Sequence, residues 1–364
     1  MSIQEQDVLR ALAGVPDPNT GRDFVAGKQV RDLRIQGGQV SFAIELGYPA
    51  QSQAAALQQA LEGAVRAVAG VSGVAASVRS KIVAHAAQRG VALVPGVKNI
   101  IGVASGKGGV GKSTVAANLA LALAAEGART GLLDADIHGP SQHVMMGLQD
   151  GCPESTDGKT IQPLRSHGVQ VMSIGFLVEK DEALIMRGPM ASQAMDQLLR
   201  QAAWDDLDYL VADLPPGTGD IQLTLSQRTP LTGAVIVTTP QDIALVDARR
   251  AVAMFNKVNV PVLGLVENMA VYTCPQCGHA EHIFGADGGK HLAEELGIPY
   301  LGALPLSRAI REQADSGNPT VAAEPDGPTA ALYKAIARQV AIKVAAGARD
   351  FSSRLGSIPV VKGE

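Results

Sequence analysis

The chain has 364 residues, enough for about two domains and for a large core that folds without disulfides. It carries 31 Lys and Arg against 35 Asp and Glu, a formal charge of −4, and only 3% aromatic residues. This weak charge balance argues against nucleic acid or an anionic membrane surface as a partner. So few aromatic residues also argue against base stacking.

Three cysteines, Cys152, Cys274 and Cys277, are too sparse for a disulfide framework and are typical of a reducing compartment. The N-terminal residues lack the continuous apolar stretch of a signal peptide. The apolar runs elsewhere are too short to span a bilayer. The sequence therefore predicts a cytoplasmic protein.

Residues 1–83 are predicted to form a small α+β domain. Alternating apolar residues on both sides of a Gly-Gly pair predict a β-hairpin over residues 30–46. An apolar stripe at helical spacing predicts a helix over about residues 52–69. Residues 84–97, with a Pro-Gly pair, are predicted to be a linker.

From residue 98 onward, short apolar runs alternate with helical segments. The predicted strands are 100–104, 130–134, 169–173, 209–213, 234–239, 262–267 and 300–303. The predicted helices include 113–126, 243–256, 288–296 and a last one over 328–346. Near-continuous apolar strands are typical of a sheet covered on both faces. The alternation therefore predicts an α/β domain with a doubly wound, mostly parallel sheet over residues 98–346, followed by a C-terminal tail, 347–364.

The pattern G-x-x-x-x-G-K-S over residues 106–113 predicts a nucleotide-binding P-loop, because it lies between a predicted strand and a predicted helix. Its glycines let backbone N–H groups face phosphates, and the helix N-terminus adds positive partial charge. Lys112 is placed to reach the terminal phosphates, and the hydroxyl of Ser113 to bind Mg²⁺. The predicted nucleotide-binding residues of this segment are Gly106, Lys107, Gly108, Gly109, Val110, Gly111, Lys112, Ser113 and Thr114.

Lys107 directly follows the first glycine of the loop, and an ordinary P-loop does not need a lysine there. This feature resembles the deviant P-loop of the dimeric ATPases that include the nitrogenase iron protein, MinD and ParA. The resemblance implies that Lys107 reaches across a dimer to the partner's nucleotide. A cation supplied in this way offsets charge on the transferring phosphoryl group.

Acidic residues end two predicted strands, at the edge where open α/β sheets bind ligands. Asp213 resembles the family's Walker B carboxylate, which holds the Mg²⁺ shell, and Asp136 resembles its switch I aspartate, which orients the attacking water. The candidate catalytic residues are therefore Lys107, Lys112 and Asp136. Asp134 is placed to serve either the metal or the backbone of the turn.

Three further features are assigned by the same resemblance. Residues 215–220 resemble the switch II loop. Asn268 and Pro305 lie where the family holds adenine, so both are expected to contact the nucleotide base.

Cys274 and Cys277 form a C-x-x-C motif with several possible uses. A thioredoxin-type redox site would need the motif at the start of a helix. A zinc site would have to add His279 and His282, which crowds four ligands into nine residues. Two inert thiols are a further alternative.

An iron–sulfur cluster normally takes four thiolates, and this chain offers two at one place. Two chains related by a twofold axis would supply four, and Lys107 independently indicates a dimer. We therefore favour a cluster bridged between subunits by Cys274 and Cys277 of each chain, with Cys152 incidental.

The motifs together resemble the Mrp/ApbC family of iron–sulfur cluster carriers over nearly the whole chain. The resemblance rests on the P-loop, residues 134–141, residues 213–220, and Glu267-Asn268-Met269 followed by the C-x-x-C pair. The N-terminal domain resembles the small metal–sulfur cluster assembly domain of bacterial members. That domain often has a cysteine where this chain has Gln51, so docking or regulation is the role left for it.

The resemblance implies an ATP-binding and ATP-hydrolysing homodimer that transfers a [4Fe–4S] cluster to apo-proteins, with Mg²⁺ at the nucleotide. Cluster assembly scaffold proteins are further candidate partners, whereas nucleic acid and membrane are not expected. One alternative is a MinD/ParA-type positioning ATPase, which the weak charge disfavours. Another is an ATP-gated electron-transfer protein, whose cluster cysteines would stand singly in separate segments.

Overall fold

The computed structural model describes residues 3–85, 91–137, 139–155, 157–176 and 188–348. Three parts of the predicted features lie outside the described residues: His138 next to Asp136, residues 86–90 of the linker, and the tail from residue 349 onward. The domain boundaries proposed from the sequence stay predictions.

The N-terminal domain is a three-stranded sheet with two helices. Its elements are α1 (Glu5–Ala13), β1 (Val30–Gln36), β2 (Gln39–Leu46), α2 (Gln51–Arg66) and β3 (Gly73–Ser80). Strand β2 pairs antiparallel with β1 and parallel with β3. The predicted hairpin and helix are present, whereas α1 was not predicted.

The C-terminal domain alternates strands and helices, as its apolar runs predict. The elements in its first half are β4 (Ile100–Ser105), α3 (Lys112–Ala125), β5 (Thr130–Asp134), α4 (Gln142–Met145), β6 (Leu164–Ser166), β7 (Val169–Ser173), α5 (Gly188–Gln201), β8 (Tyr209–Asp213) and α6 (Asp220–Arg228). Those in the second half are β9 (Gly233–Thr238), α7 (Asp242–Lys257), β10 (Val262–Glu267), β11 (Tyr272–Thr273), β12 (Ala280–Glu281), α8 (Gly288–Leu296), β13 (Tyr300–Ala303), α9 (Arg308–Asp315), α10 (Thr320–Ala323) and α11 (Pro328–Ala345).

Eight of the described strands form one sheet in the order β13-β10-β9-β4-β8-β5-β7-β6. All neighbours are parallel except β6, which pairs antiparallel with β7 at the edge. The predicted mostly parallel sheet is thus confirmed. Strand β6 was not predicted because it has only three residues and none of them is fully buried.

Helices cover both faces of this sheet, which makes it doubly wound. Helices α3 and α11 pack on one face, and α5, α6, α7 and α8 pack on the other. Every residue of β4, β5 and β8 is buried as a result. The carboxyl ends of these three strands therefore meet at one protected edge, which is where ligands bind in open α/β sheets.

The two domains share a continuous apolar core and a buried polar contact. Apolar side chains of the small domain pack in the same cluster as those of α3 and α11. Beside them, the fully buried carboxylate of Glu126 accepts hydrogen bonds from the backbone N–H (3.0 Å) and hydroxyl (2.6 Å) of Ser52. The guanidinium of Arg338 pairs with the same carboxylate. We call Ser52, Glu126 and Arg338 the interdomain latch.

None of the helices in the described part of the chain is both long enough and apolar enough to cross a membrane.

Candidate functional site

The loop over residues 106–111 joins β4 to α3. Gly109 and Gly111 both have φ of +82°, a conformation that glycine adopts without strain. A side chain at Gly106 would overlap the backbone of Asp247 in α7. The loop therefore curls tightly above the sheet, with α7 packed directly on its first residue.

Lys112, the last residue of the motif before its serine, is buried with its ammonium group between two carboxylates. Its Nζ makes a short ion pair with Asp213 and lies 3.6 Å from Oδ2 of Asp136. Asp213 is completely buried at the end of β8. The structure thus brings together three of the predicted site residues, with the lysine on the carboxylates rather than extended along the loop.

Gln142 is a member of this cluster that the sequence analysis missed. Its Nε2 donates to Oδ2 of Asp213 at 2.8 Å and to the backbone carbonyl of Ser113 at 3.0 Å. The side chain is buried at the start of α4 and fixes the orientation of the Asp213 carboxylate. A single glutamine beyond the acidic segment gives no sequence signal of its own.

Asp134 lies in the same buried edge but faces the turn that follows β5. Its Oδ2 accepts hydrogen bonds from the backbone N–H groups of Ser141 and Gln142 and from the hydroxyl of Ser173, each at 2.9 Å. Burial, together with the nearby negative charge of Asp213, raises the pKa of Asp134 to about 7. These bonds match the second of its two predicted roles, which is to hold the turn.

Ser113 and Asp213 provide a donor set that fits Mg²⁺. Oγ of Ser113 lies 3.3 Å from Nζ of Lys112, the same group that contacts Asp213, so hydroxyl and carboxylate share one corner of the site. Hydroxyl and carboxylate oxygens are the hard ligands that Mg²⁺ prefers. Metal binding there requires Lys112 to leave Asp213.

Lys107 and Thr114 flank this cluster and are both partly exposed. The carbonyl of Lys107 accepts a hydrogen bond from the hydroxyl of Ser105 at 2.8 Å, which orders the start of the loop. Among the described residues, no carboxylate pairs with the Lys107 ammonium group, whose predicted role in a second subunit stays a prediction.

Asn268 and Pro305 lie in two neighbouring loops at the same edge of the sheet. Nδ2 of Asn268 donates to the carbonyl of Val110 at 2.8 Å, which places it against the P-loop. The backbone N–H of Ala270 donates to the carbonyl of Leu304 at 3.0 Å and joins the two loops. Asn268 is therefore next to the phosphate loop, and Pro305 follows a residue that is bonded to the Asn268 loop.

Cys274 and Cys277 lie at the tip of the β11–β12 hairpin. The backbone N–H of Cys274 donates to the carbonyl of His279, and that of Gly278 to the carbonyl of Cys274, both at 2.9 Å. Cys277 is exposed and Cys274 partly so. The motif is therefore a surface turn in a hairpin and not the start of a helix, unlike the thioredoxin arrangement.

Hydrogen bonds from backbone amides stabilise the thiolate form of Cys274. The N–H groups of Cys277 and Gln276, and then the Cys277 side chain, lower the pKa of the Cys274 thiol. A lower pKa favours the thiolate, which is the form that binds metal. Two soft thiolate ligands side by side suit iron–sulfur clusters, zinc or copper(I).

The histidines of the zinc alternative do not complete a site with these cysteines. Nδ1 of His282 lies 2.8 Å from the carbonyl of Ala270, a contact that engages this nitrogen in the fold. Across the described ranges, no group of three or more His, Cys, Asp or Glu side chains is arranged to hold a metal ion. One chain therefore offers half of a four-thiolate site.

The hairpin is bonded to the loop that holds Pro305. Tyr272 of β11 pairs with Leu306 in a parallel bridge, and the N–H of Leu306 donates to the carbonyl of Val271 at 2.9 Å. The Pro305 loop is thus attached on one side to the Asn268 loop and on the other to the cysteine hairpin. Backbone hydrogen bonds through the Pro305 loop therefore connect the Asn268 loop, at the P-loop edge of the sheet, with the hairpin that carries the two thiols.

The profile of the family described as NUBPL iron-transfer P-loop NTPase matches residues 96–341, and that of an iron–sulfur cluster assembly protein matches residues 5–78. A protein of Pseudomonas fragi named iron–sulfur cluster carrier protein is 57% identical over 278 residues, 76% of this chain and 97% of its own length. One of the same name from Haemophilus influenzae is 46% identical over 94% of this chain and 92% of its own length.

Solved structures resemble the C-terminal domain. An Archaeoglobus fulgidus nucleotide-binding protein in complex with ADP has a TM-score of 0.57 and 37% identity, over 65% of this chain and 91% of the other. The MinD cell division ATPase of Pyrococcus furiosus has a TM-score of 0.52 and 23% identity, over 66% of this chain and 98% of the other, and shows the fold. The resemblance drawn from the motifs is therefore confirmed, and the chain belongs to the family of NUBPL-type iron-transfer P-loop NTPases, whose curated relatives are named iron–sulfur cluster carrier proteins.

Proposed function

We propose that the protein is an ATP-hydrolysing homodimer that holds a [4Fe–4S] cluster between its subunits and delivers it to apo-proteins in the cytoplasm. The observation that carries the proposal is the backbone connection between the nucleotide edge and the cysteine hairpin through residues 304–306. A carrier needs a site that binds its cargo and a means of changing the affinity of that site. This chain has a cysteine pair and a P-loop that are joined through the Asn268 and Pro305 loops.

Nucleotide binding is assigned to residues 106–114, with Asn268 and Pro305 at the base. Lys112 exchanges its ion pair with Asp213 for the nucleotide phosphates, which frees Asp213 and Ser113 to hold Mg²⁺. The metal would neutralise charge on the phosphoryl oxygens. Asp136, which loses its 3.6 Å contact with Lys112 in this exchange, would orient water for hydrolysis.

The cluster is cargo, and each chain supplies two of its four thiolates through Cys274 and Cys277. This stoichiometry itself requires a second copy. Lys107, which has no ion-pair partner in the described part of the chain, is the group that would reach the nucleotide of that copy. Hydrolysis and dimer contact are therefore linked through one lysine.

Three exposed apolar side chains in the segments around both sites support the dimer. Ile243 and Val246, at adjacent positions of one face of α7, are 73% and 51% exposed, and Ile283 beyond the hairpin is 50% exposed. Helix α7 packs on the P-loop at Gly106, and Gly288, shortly after Ile283, lies against Leu245 of α7. Apolar side chains exposed beside a functional edge are typical of an association surface.

Anaerobic reconstitution with iron and sulfide tests the cargo assignment. We expect about two iron atoms per chain and a dimeric mass in the wild type, and loss of most iron in Cys274→Ser and Cys277→Ser. Cys152→Ser is the matched control, because it removes an exposed cysteine outside the hairpin and should keep the iron. Iron and sulfide that remain bound in both hairpin variants would contradict the proposal.

Mixing the loaded protein with an apo-ferredoxin then tests delivery. A carrier should surrender its cluster, whereas an electron-transfer protein should keep it. We expect ATP to change the transfer rate in the wild type but not in Lys112→Ala. Equal rates under all four conditions would refute the coupling while leaving the carrier assignment intact.

A further inference from the structure

A cavity of about 710 Å³ lies between the small domain and the last turns of α11, on the opposite end of α3 from the P-loop. The small domain contributes Arg22, Lys28, Glu45 and Tyr48 among others, and Ile342 lies on the α11 wall. This volume is typical of sites for small molecules, not of grooves that hold a protein partner. None of the motifs used for nucleotide or cluster binding reaches it.

The described lining is strongly cationic. It holds the five cations Arg22, Lys28, Arg31, Lys81 and Lys343, against a single carboxylate, Glu45. This excess is local, because the chain as a whole has a formal charge of −4.

Glu45 neutralises only part of this charge. It lies 3.5 Å from Nε of Arg31 and 3.8 Å from Nζ of Lys81. Within the described residues, Arg22, Lys28 and Lys343 have no ion-pair partner. A cleft lined by one sign of charge concentrates ions of the opposite sign.

The backbone beside the cavity is held in an unusual conformation. Lys28 has φ of +50°, in the left-handed region that non-glycine residues seldom occupy. Its N–H donates to the carbonyl of Val25 at 3.0 Å, and the N–H of Gln29 to that of Phe24 at 2.9 Å, so the turn is fixed. Strain retained at a fixed position is a feature of functional sites.

The uncharged lining residues indicate what kind of molecule the cavity can hold. Leu46, Tyr48, Val83 and Ile342 give the cavity an apolar wall, and Gly47 and Ala345 line it as well. Three unpaired cations around an apolar wall suit a compact organic molecule with two or more anionic groups. We propose that this cavity binds a small organic polyanion, carrying phosphate or carboxylate groups, at the junction of the two domains.

The proposal does not depend on the proposed function and is tested on the full-length, iron-free protein. No nucleotide or Mg²⁺ is added, because ADP is itself a small organic polyanion that would compete for the cavity and citrate chelates Mg²⁺; the cavity variants below distinguish binding in the cavity from binding at the P-loop. Calorimetric titrations at an ionic strength of about 0.1 M use fructose 1,6-bisphosphate as the phosphate probe and citrate as the carboxylate probe. Binding by one probe alone identifies the anionic group of the ligand.

The variants are Lys28→Gln and Lys343→Gln, with Lys257→Gln as control. Lys343 and Lys257 both lie in the last turn of a helix, so both substitutions remove the same favourable interaction with the helix dipole. Only Lys343 lines the cavity. Thermal melting of all three variants checks that each is folded.

We expect one probe molecule to bind saturably to each chain. Each cavity variant should weaken its affinity about fivefold, and Lys257→Gln should leave the affinity unchanged. Fivefold is the effect of one unit charge at about 4 Å in water. Absence of saturable binding of both probes up to about 5 mM would overturn the proposal. If Lys257→Gln weakens probe binding as much as Lys343→Gln does, the proposal is overturned too, because the loss of affinity would then reflect the net charge of the protein and not a contact in the cavity.

Discussion

His143 is a partly buried imidazole in α4, directly after Gln142 of the candidate site. Its ring meets that of Phe176 edge-on at a centroid distance of 6.1 Å, and its buried Nδ1 has no hydrogen-bond partner among the residues that the structure describes. Burial lowers the pKa of His143 below the ordinary value of histidine. The folded state therefore resists protonation of this ring more strongly than the unfolded state does.

The sign of the resulting pH dependence follows from proton binding. Below about pH 6.5 the unfolded chain protonates this histidine more readily than the folded chain does, so the free energy of unfolding decreases as the pH falls. In His143→Met we expect this acid-side loss of stability between pH 7.5 and 5.5 to be smaller than in the wild type. Urea unfolding at a series of pH values measures it.

His291→Met is the control for this experiment, since His291 is exposed on α8. It should leave the pH dependence as in the wild type. An unchanged pH profile in His143→Met would show that the ring titrates equally in both states.

Gly106 offers a second test at the level of single residues. A methyl group there would overlap the backbone of Asp247 and Ala248, which cannot give way as a flexible side chain can. We expect Gly106→Ala to lower the free energy of unfolding of the nucleotide-free protein by about 1–3 kcal/mol, the usual effect of overpacking. Chemical denaturation measures the change.

Gly108→Ala is the matched control in the same loop, because a methyl group at Gly108 meets no atom of the described residues within 4 Å. It should change stability by less than about 0.5 kcal/mol. Equal stability of the two variants would mean that α7 moves away from the loop at little cost.

At the level of elements, the β11–β12 hairpin and the Pro305 loop form one unit. The N–H of Leu306 provides a hydrogen bond of 2.9 Å to the carbonyl of Val271, at the base of the hairpin. Leu306→Pro removes this donor, which should lower the free energy of unfolding by about 1 kcal/mol. We expect iron binding to survive, whereas the effect of ATP on cluster transfer should fall severalfold.

Leu306→Ala keeps the N–H and serves as the control, so its response to ATP should match that of the wild type. Iron content and transfer rates are measured on the same preparations. A full ATP response in Leu306→Pro would mean that the nucleotide acts on the thiols by another route.

The sequence predicted well those elements whose signal is local. The P-loop was recognisable because its glycines and Lys112 fall within eight residues between a strand and a helix. The buried strands were recognisable because both faces are covered. Helix α1 and strand β6 were missed, since one lies in a polar N-terminal segment and the other is a short, half-exposed edge.

Side-chain partners from distant segments could not be predicted from the same information. Gln142 contacts Asp213, which lies 71 positions away, and Glu126 contacts Ser52 and Arg338, 74 and 212 positions away. A hydrogen bond between distant segments depends on how the layers pack. Single glutamines, serines and glutamates carry no pattern that would reveal it.

At the level of the whole molecule, the interdomain latch is a buried ion pair whose loss should be costly. Removing one partner leaves the other charge buried, which typically destabilises by about 3–5 kcal/mol. We expect Arg338→Met to lower the free energy of unfolding by this amount and to speed proteolytic release of the small domain. Denaturant unfolding and limited proteolysis provide the two measurements.

The double variant Arg338→Met with Glu126→Gln should lose less than the sum of the single variants, because no unpaired charge remains. Arg311→Met is the control for an exposed pair, as Arg311 and Asp315 are 61% and 65% exposed. Arg311→Met should lower the free energy of unfolding by less than about 1 kcal/mol. A similar small cost for Arg338→Met would mean that the latch does not hold the domains together.

Helix α3 spans the whole distance from the nucleotide loop to the latch, and ten of its 14 residues are buried. A rod of this length, about 21 Å, that is enclosed on nearly every side cannot rotate or slide without opening the core. Backbone movement in this domain is therefore expected in the loops around α3 and in the cysteine hairpin, and not in α3 itself. Hydrogen exchange should accordingly be slow along α3 and faster in those loops and in the hairpin.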